Sequence, residues 1–205
     1  MIKLLVYGDS LSNGNHGEGA YYPLLEKSGL TVTNRAVGSS GLCRNTPSSM
    51  LSQMEKYDDR DYDIVLVWHG TNDWYWGSEM EDFKSSIRKV IADIRERNPF
   101  AIIFWCGPLY RYEAPDGKTE RVFAFESENK VGLTLSDYRD ALKRECLLLG
   151  VDYVEMNSLV QIHKGNADEL LEDLVHPNRK GYERIGRALL GEIRKLVYIK
   201  SGETL

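Results

Sequence analysis

Two kinds of block alternate along the chain. Short β-prone runs occur at Ile2–Tyr7, Leu30–Asn34, Ile64–Trp68, Ala101–Cys106 and Val151–Glu155. Most are apolar on both faces, as buried strands are. Ile64–Trp68 is the clearest, apolar throughout and bounded by Asp63 and His69-Gly70. Between the runs lie stretches of helical period. In Glu79–Arg97 the apolar residues Phe83, Ile87, Val90, Ile91 and Ile94 fall on one stripe, and Asn98-Pro99 ends it. Ala20–Lys27, Ser48–Tyr57 behind Pro47, Leu135–Leu149 closed by Gly150, and Arg179–Ile199 are read as further helices.

Strands separated by helices imply a parallel sheet covered on both faces. Right-handed crossovers then favour a flavodoxin-like order. The expected fold is a three-layer α/β/α sandwich around a five-stranded parallel sheet, one domain over residues 1–200, with 201–205 a frayed tail. Such sheets bind ligands at the carboxyl ends of their strands. The chemically suggestive residues fall there: Gly8-Asp9-Ser10, Gly38-Ser39, Gly70-Thr71-Asn72-Asp73, Cys106-Gly107-Pro108, and Asp173 with His176. Residues 107–130 break the alternation. Tyr110–Glu113 and Thr119–Phe125 flank the turn sequence Ala114-Pro115-Asp116-Gly117-Lys118, which predicts a β-hairpin inserted after the fourth strand. It reads either as a substrate lid or dimerisation arm, or as a surface loop.

Composition narrows the partners. The 205 residues are 42% hydrophobic and 28% charged, with a net charge of −5, an ordinary globular balance. There is no long basic run, so nucleic acid is not an expected partner. Nor is a membrane, since no apolar stretch reaches the roughly 18 residues of a spanning helix. The N-terminus lacks the apolar region of a secretory leader. Cys43, Cys106 and Cys146 are widely spaced and odd in number, which points to reduced thiols in the cytoplasm and to no metal site. A homo-oligomer is left open.

Among these residues, Ser10 is a candidate nucleophile, although Gly-Asp-Ser alone is more often a cap or turn. A serine needs a base, and there are four histidines. His69 ends a buried strand and reads as structural. His163 lies on a polar segment. His16 is near Ser10 but has no evident orienting carboxylate. His176 has Asp173 three residues before it and Pro177 after it, a spacing that lets the carboxylate take Nδ1–H and turns Nε2 toward a serine. In this reading Pro177 begins the last helix. Asn72 could donate its side-chain N–H to an oxyanion, or simply suit a turn; backbone N–H groups of Ser10 and of the Gly38-Ser39 turn would complete the hole.

Taken in order, Gly8-Asp9-Ser10, Asn34-x-x-x-Gly38, Gly70-x-Asn72-Asp73 and Asp173-x-x-His176-Pro177 resemble the blocks of the GDSL/SGNH hydrolase family. The resemblance runs from Gly8 to Pro177 and implies a flavodoxin-like fold. It also implies Ser10 as nucleophile and N–H donor, Asn72 as side-chain oxyanion donor, and a triad completed by Asp173 and His176. One block departs: the family's oxyanion-hole glycine usually stands five residues beyond such an asparagine, where this chain has Ser39. Ser39 is slightly favoured and Gly38 stays open.

The activity so implied is ester hydrolysis through an acyl-enzyme, without metal or organic cofactor. Asp9, Trp74, Trp76 and Arg111 are the candidate substrate-binding residues. Trp68, Trp74, Tyr75 and Trp76 suggest faces for stacking on a sugar, hence an acetyl ester of a small molecule or carbohydrate, or else they pack the core. Arg44, Arg111 and Tyr112 would bind polar groups at the rim or form solvated surface. An acyltransferase or a lysophospholipase-type lipase would use the same triad, whereas a flavodoxin-like binding module would need none.

Overall fold

The structure is a computed structural model that describes residues 2–15 and 19–202. The chain runs β1 (Ile2–Gly8), α1 (Ser10–Asn13), α2 (Tyr22–Lys27), β2 (Leu30–Asn34), α3 (Met50–Met54) and β3 (Ile64–Trp68). It continues through α4 (Thr71–Trp76), α5 (Met80–Arg97), β4 (Ile102–Cys106), β5 (Tyr112–Glu113) and β6 (Val122–Phe123). It closes with α6 (Leu135–Leu149), β7 (Asp152–Val154), α7 (Met156–Val160), α8 (Ala167–Leu170) and α9 (Arg179–Ser201).

β1, β2, β3, β4 and β7 form one parallel sheet in the order β2-β1-β3-β4-β7, the flavodoxin-like order. The two-residue period of the strands divides the core. Leu4, Val6, Leu66, Trp68, Phe104 and Cys106 face one side, against Leu25 of α2 and Ile185, Leu189 and Ile193 of α9. Leu5, Tyr7, Val65, Val67, Ile103 and Trp105 face the other, against α5 and α6. The apolar stripe read in α5 is buried from Phe83 to Ile94. Register sets Gly8 opposite Trp68 and Val6 opposite Asn34, so the chain leaves three neighbouring strands at one edge.

Several boundaries differ from expectation. The helix read as Ala20–Lys27 starts at Tyr22, with Pro in its first turn. The helix read as Ser48–Tyr57 is only Met50–Met54: Ser49 caps it by accepting from Ser52 N–H, so Pro47 lies outside. The last helix is capped by Asn178, whose side chain accepts from Gly181 N–H, so Pro177 precedes it and pairs in a bridge with Leu171. After β4, Tyr112–Glu113 pairs antiparallel with Val122–Phe123, a much shorter ladder than the runs suggested. Gly117, at φ 81°, closes the turn between them. Ser201 belongs to α9 and Gly202 is its left-handed cap; His16 and residues 203–205 lie outside the described residues. Among the described residues no helix is long and apolar enough to cross a membrane. The three cysteines are free and buried.

Candidate active site

Ser10 is the first residue of α1, immediately past β1. The bend is tight: a Cβ on Gly8 would stand 2.5 Å from Ser12 Oγ, so glycine is required for close approach rather than for its dihedrals. Asp9 caps the helix by accepting from Leu11 N–H at 2.9 Å, which turns its carboxylate inward, away from the cleft. Asn34 ties the same helix to β2 by donating from Nδ2 to Ser12 O at 2.7 Å and accepting from Ala36 N–H at 3.0 Å.

The turn Asp173-Leu174-Val175-His176 lies before α9. Asp173 Oδ1 accepts from Val175 N–H (3.0 Å) and His176 N–H (2.7 Å), while Oδ2 lies 2.7 Å from His176 Nδ1. The turn costs Leu174 a left-handed φ of 70°. His176 Nε2 then stands 3.0 Å from Ser10 Oγ, joining residues 166 positions apart. Burial acts most strongly on the Asp173 carboxyl and pushes it up. The hydrogen bonds from the His176 ring and main chain and from Val175, together with the imidazole charge, outweigh it and hold the group well below the ordinary carboxylate range. Outside support comes from the segment after β4: Tyr112 N–H donates to Leu174 O at 3.0 Å, and Arg121 donates to Asp173 O.

The opposite wall is assembled from α4 and the loop after β2. Gly70-Thr71-Asn72-Asp73, for which a turn is the alternative to a functional Asn72, is the start of a helix, with Gly70 as its N-cap at φ 127°. Helical spacing puts Asn72, Tyr75 and Trp76 on one face and Trp74 on another. Asn72 Nδ2 donates to Ser40 O at 2.9 Å and has a long contact, 3.4 Å, to Asp9 Oδ2. Its Oδ1 accepts from Arg111 Nη1 at 3.0 Å. Asp73, fully buried, fastens the loop by accepting from Leu42 N–H (2.7 Å), Cys43 N–H (3.0 Å) and Ser78 Oγ (3.0 Å). Trp76 Nε1 adds a bond to Ser39 O at 3.2 Å. Ser39 adopts φ 59°, the left-handed conformation that favours glycine, and it lines the cleft, whereas Gly38 does not.

A cavity of about 280 Å³ opens at Ser10 and His176, with Ser39, Asn72, Tyr75, Trp76 and Arg111 in its lining. The structure therefore brings together Ser10, His176, Asn72, Ser39, Trp76 and Arg111 and leaves other expected residues out. Trp74 is fully buried, with Nε1 bonded to Ser127 O at 3.1 Å; it packs the core because α4 turns it inward. Asp9 is fully buried as a helix cap and does not line the cavity; burial lifts its pKa to about 6 against the pull of Leu11 N–H and Arg111. Trp68 is buried, with Nε1 bonded to Gly107 O. Arg111 is not solvated surface: it is 5% exposed and ion-paired with Glu113. Arg44 pairs with Glu55, away from the cavity. His69 is buried, and burial lowers its pKa to about 3, so the ring stays neutral.

Sequence reasoning missed Thr71, Leu109, Tyr110, Glu113 and Val175, which also line the cavity. Glu113 carried a signal: it stands two residues from Arg111 in a β-prone run, hence on the same face. Leu109 and Tyr110 looked like ordinary apolar residues and gave none.

A serine hydroxyl on one imidazole nitrogen and a carboxylate on the other, at the carboxyl edge of this sheet, defines a class by geometry: acyl-group hydrolases on a flavodoxin-like scaffold. The chain belongs to the GDSL-like lipase/acylhydrolase family, whose model matches residues 6–184. Among solved structures it is similar to a protein from Lactobacillus plantarum, at 17% identity and a TM-score of 0.80, covering 95% of this chain and 97% of that one. It is also similar to a lipase/acylhydrolase from Enterococcus faecalis, at 17% identity and a TM-score of 0.67, covering 94% and 95%. A third likeness is to a salicylyl-acyltransferase from a tetracycline biosynthetic pathway, at 20% identity and a TM-score of 0.73, covering 95% of this chain and 55% of that one. At these identities the likeness is one of fold. No curated protein sequence matches the chain.

Proposed function

We propose that the protein is a serine carboxylesterase acting on short acyl groups, with Ser10 as nucleophile, His176 as general base and acid, and Asp173 as the group that orients the imidazole. The observation that carries the reading is the 3.0 Å approach of His176 Nε2 to Ser10 Oγ, with Asp173 Oδ2 at 2.7 Å behind the ring. A hydroxyl so placed loses its proton to Nε2 as it attacks an ester carbonyl. The tetrahedral oxyanion is received by the N–H groups of Ser10 and Ser39 and by Asn72 Nδ2. His176 then returns the proton to the leaving alcohol, and water repeats the sequence on the acyl-enzyme. No step calls for a metal or organic cofactor.

The size of the cavity supports a short-acyl substrate class. At about 280 Å³ it lies at the small end of ligand sites, which suits acetyl or similarly short acyl groups. Trp76 and Tyr75 supply the aromatic wall on which a sugar ring of the leaving group would stack. The expected partner is a small-molecule or carbohydrate ester, and the expected location is the cytoplasm. Hydrolysis of p-nitrophenyl esters from acetate to decanoate tests this. Activity should be greatest at the short end and fall by roughly 10⁴-fold or more in Ser10→Ala. A preference for long chains, or an unaffected Ser10→Ala, would contradict it.

A second reading has one observation in its favour, the likeness to a protein named as an acyltransferase. If an alcohol competes with water for the acyl-enzyme, adding short alcohols to the p-nitrophenyl acetate assay yields new ester in preference to acetate. An esterase yields acetate.

A further inference from the structure

The cavity wall contains a guanidinium whose hydrogen bonds are made to its neighbours in the same wall, Thr71, Asn72 and Glu113. Arg111 stands just before β5, 5% exposed, with Nη1 bonded to Thr71 O (3.0 Å), Thr71 Oγ1 (3.1 Å) and Asn72 Oδ1 (3.0 Å). Its Nε donates to Glu113 Oε2 at 2.8 Å, and Nη2 donates to the same oxygen. A guanidinium has five N–H donors. Both on Nη1, the one on Nε and one on Nη2 are engaged, which leaves a single hydrogen for any ligand. Its plane also lies near aromatic faces, with Cζ 5.1 Å from the Tyr75 ring centroid. An arginine built to grip a substrate anion presents a fork of two parallel donors; this fork is already spent on Glu113.

The partner of consequence is Asn72. Its amide is held at both ends: Oδ1 accepts from a cation, and Nδ2 donates to Ser40 O at 2.9 Å. A flipped amide would set Nδ2 against the guanidinium and Oδ1 against Ser40 O and the Asp9 carboxylate, so the network admits one orientation. A charge-assisted bond to the carbonyl oxygen also draws electron density from nitrogen and strengthens the N–H as a donor. Resting on the ester-hydrolase reading above, we infer that Arg111 is a positioning residue. It orients and polarises the Asn72 amide, so that the Nδ2 hydrogen not given to Ser40 O, which makes only the long 3.4 Å contact to Asp9 Oδ2, turns to the oxyanion when one forms, and it does not bind substrate. Glu113 supplies the counter-charge that lets a cation sit this deep. The same segment reaches the other wall through Tyr112 N–H and Leu174 O, so residues 111–113 set both sides of the cleft.

The test is a double-mutant cycle on p-nitrophenyl acetate, a neutral ester. Arg111→Met and Glu113→Gln are made together, so that no unpaired charge is left buried, and are compared in wild-type and Asn72→Ala backgrounds. Titration with a fluorophosphonate counts active serines in each preparation. In the wild-type background kcat per active serine should fall roughly ten- to hundredfold with KM within about threefold, a share of the 10²- to 10³-fold cost of losing an oxyanion donor. In the Asn72→Ala background the same pair should cost less than about threefold. Arg111→Lys, which keeps the charge without the planar fork, should give an intermediate kcat in the first background and the same collapse in the second. Equal losses in both backgrounds, or a raised KM with kcat intact, would overturn the assignment while leaving the esterase reading standing. Failure of the wild type to react with the fluorophosphonate would overturn both.

Discussion

The two walls of the cleft are held in place by opposite means. On the imidazole side the Asp173 side chain is about half exposed (52%), and the geometry comes from main-chain bonds within one four-residue turn. On the oxyanion side Asp9, Asn72, Asp73 and Arg111 are almost wholly buried, and the geometry comes from charges and amides joined across four separate segments. The first wall is local and wet; the second is long-range and dry. Local geometry is cheap to keep but screened by solvent. Buried charge is costly to place, yet each interaction there acts more strongly, which is where an oxyanion gains most.

Substitutions on each side sharpen that contrast. The largest effect is expected from Asp173→Ala, which removes the clamps on Val175 and His176 N–H together with the imidazole's partner: kcat for p-nitrophenyl acetate should fall by roughly 10³- to 10⁴-fold. A loss under tenfold would show that Tyr112 and the remaining main-chain bonds orient the ring without the carboxylate.

The buried wall gives a pH signature instead. Burial raises the Asp9 pKa from 3.8 to about 6 in the folded protein. Between those values the folded state binds more protons than the unfolded one. Asp9 therefore favours folding below pH 3.8, and that contribution is lost as pH rises through 6. Asp9→Asn, which can still cap α1, should raise stability at pH 8 by about 2–3 kcal/mol, at roughly 1.4 kcal/mol per pKa unit. The advantage should vanish by pH 3.5, read as Tm across pH. An equal gain at both ends would mean that the buried charge is not its source. His69 works in the other direction: with its pKa lowered to about 3, only the unfolded chain takes up its proton as pH falls below 6.5, and stability declines through that window.

The smallest effect is expected at the rim. Ser39 holds φ 59° where glycine would be unstrained, so Ser39→Gly should gain up to about 1 kcal/mol in denaturant melts, reduced by the extra freedom glycine brings to the unfolded chain. A lower stability would mean that the Ser39 side chain supplies more than its backbone costs.

What could be read from the sequence follows the same division. The sheet strands and α6 were legible because period-two and helical patterns are local; Leu135–Leu149 with Gly150 as its cap needed nothing from elsewhere. The Asp173–His176 contact lies within a span of three residues and is legible for the same reason. The opposite wall was legible only in part: Ser39, Asn72, Trp76 and Arg111 could be named, but not the bonds that join them. Gly-Thr-Asn-Asp has turn composition, and only the packing of α4 makes it a helix start, which sends Trp74 into the core and Trp76 to the cleft. Arg111 reads as a surface cation until the fold supplies Glu113, Thr71 and Asn72 around it. Asp9 sits beside Ser10 in the chain, but its role as a cap turns it inward, which adjacency does not reveal.

The central claim is that the Ser10 hydroxyl is the atom His176 activates. Reaction of the whole protein with a fluorophosphonate, followed by intact mass and peptide mapping, tests it most directly. The expected result is a single adduct on the peptide containing Ser10, absent in Ser10→Ala and strongly slowed in His176→Ala. An adduct on another residue, or labelling that proceeds at the same rate without His176, would contradict the account.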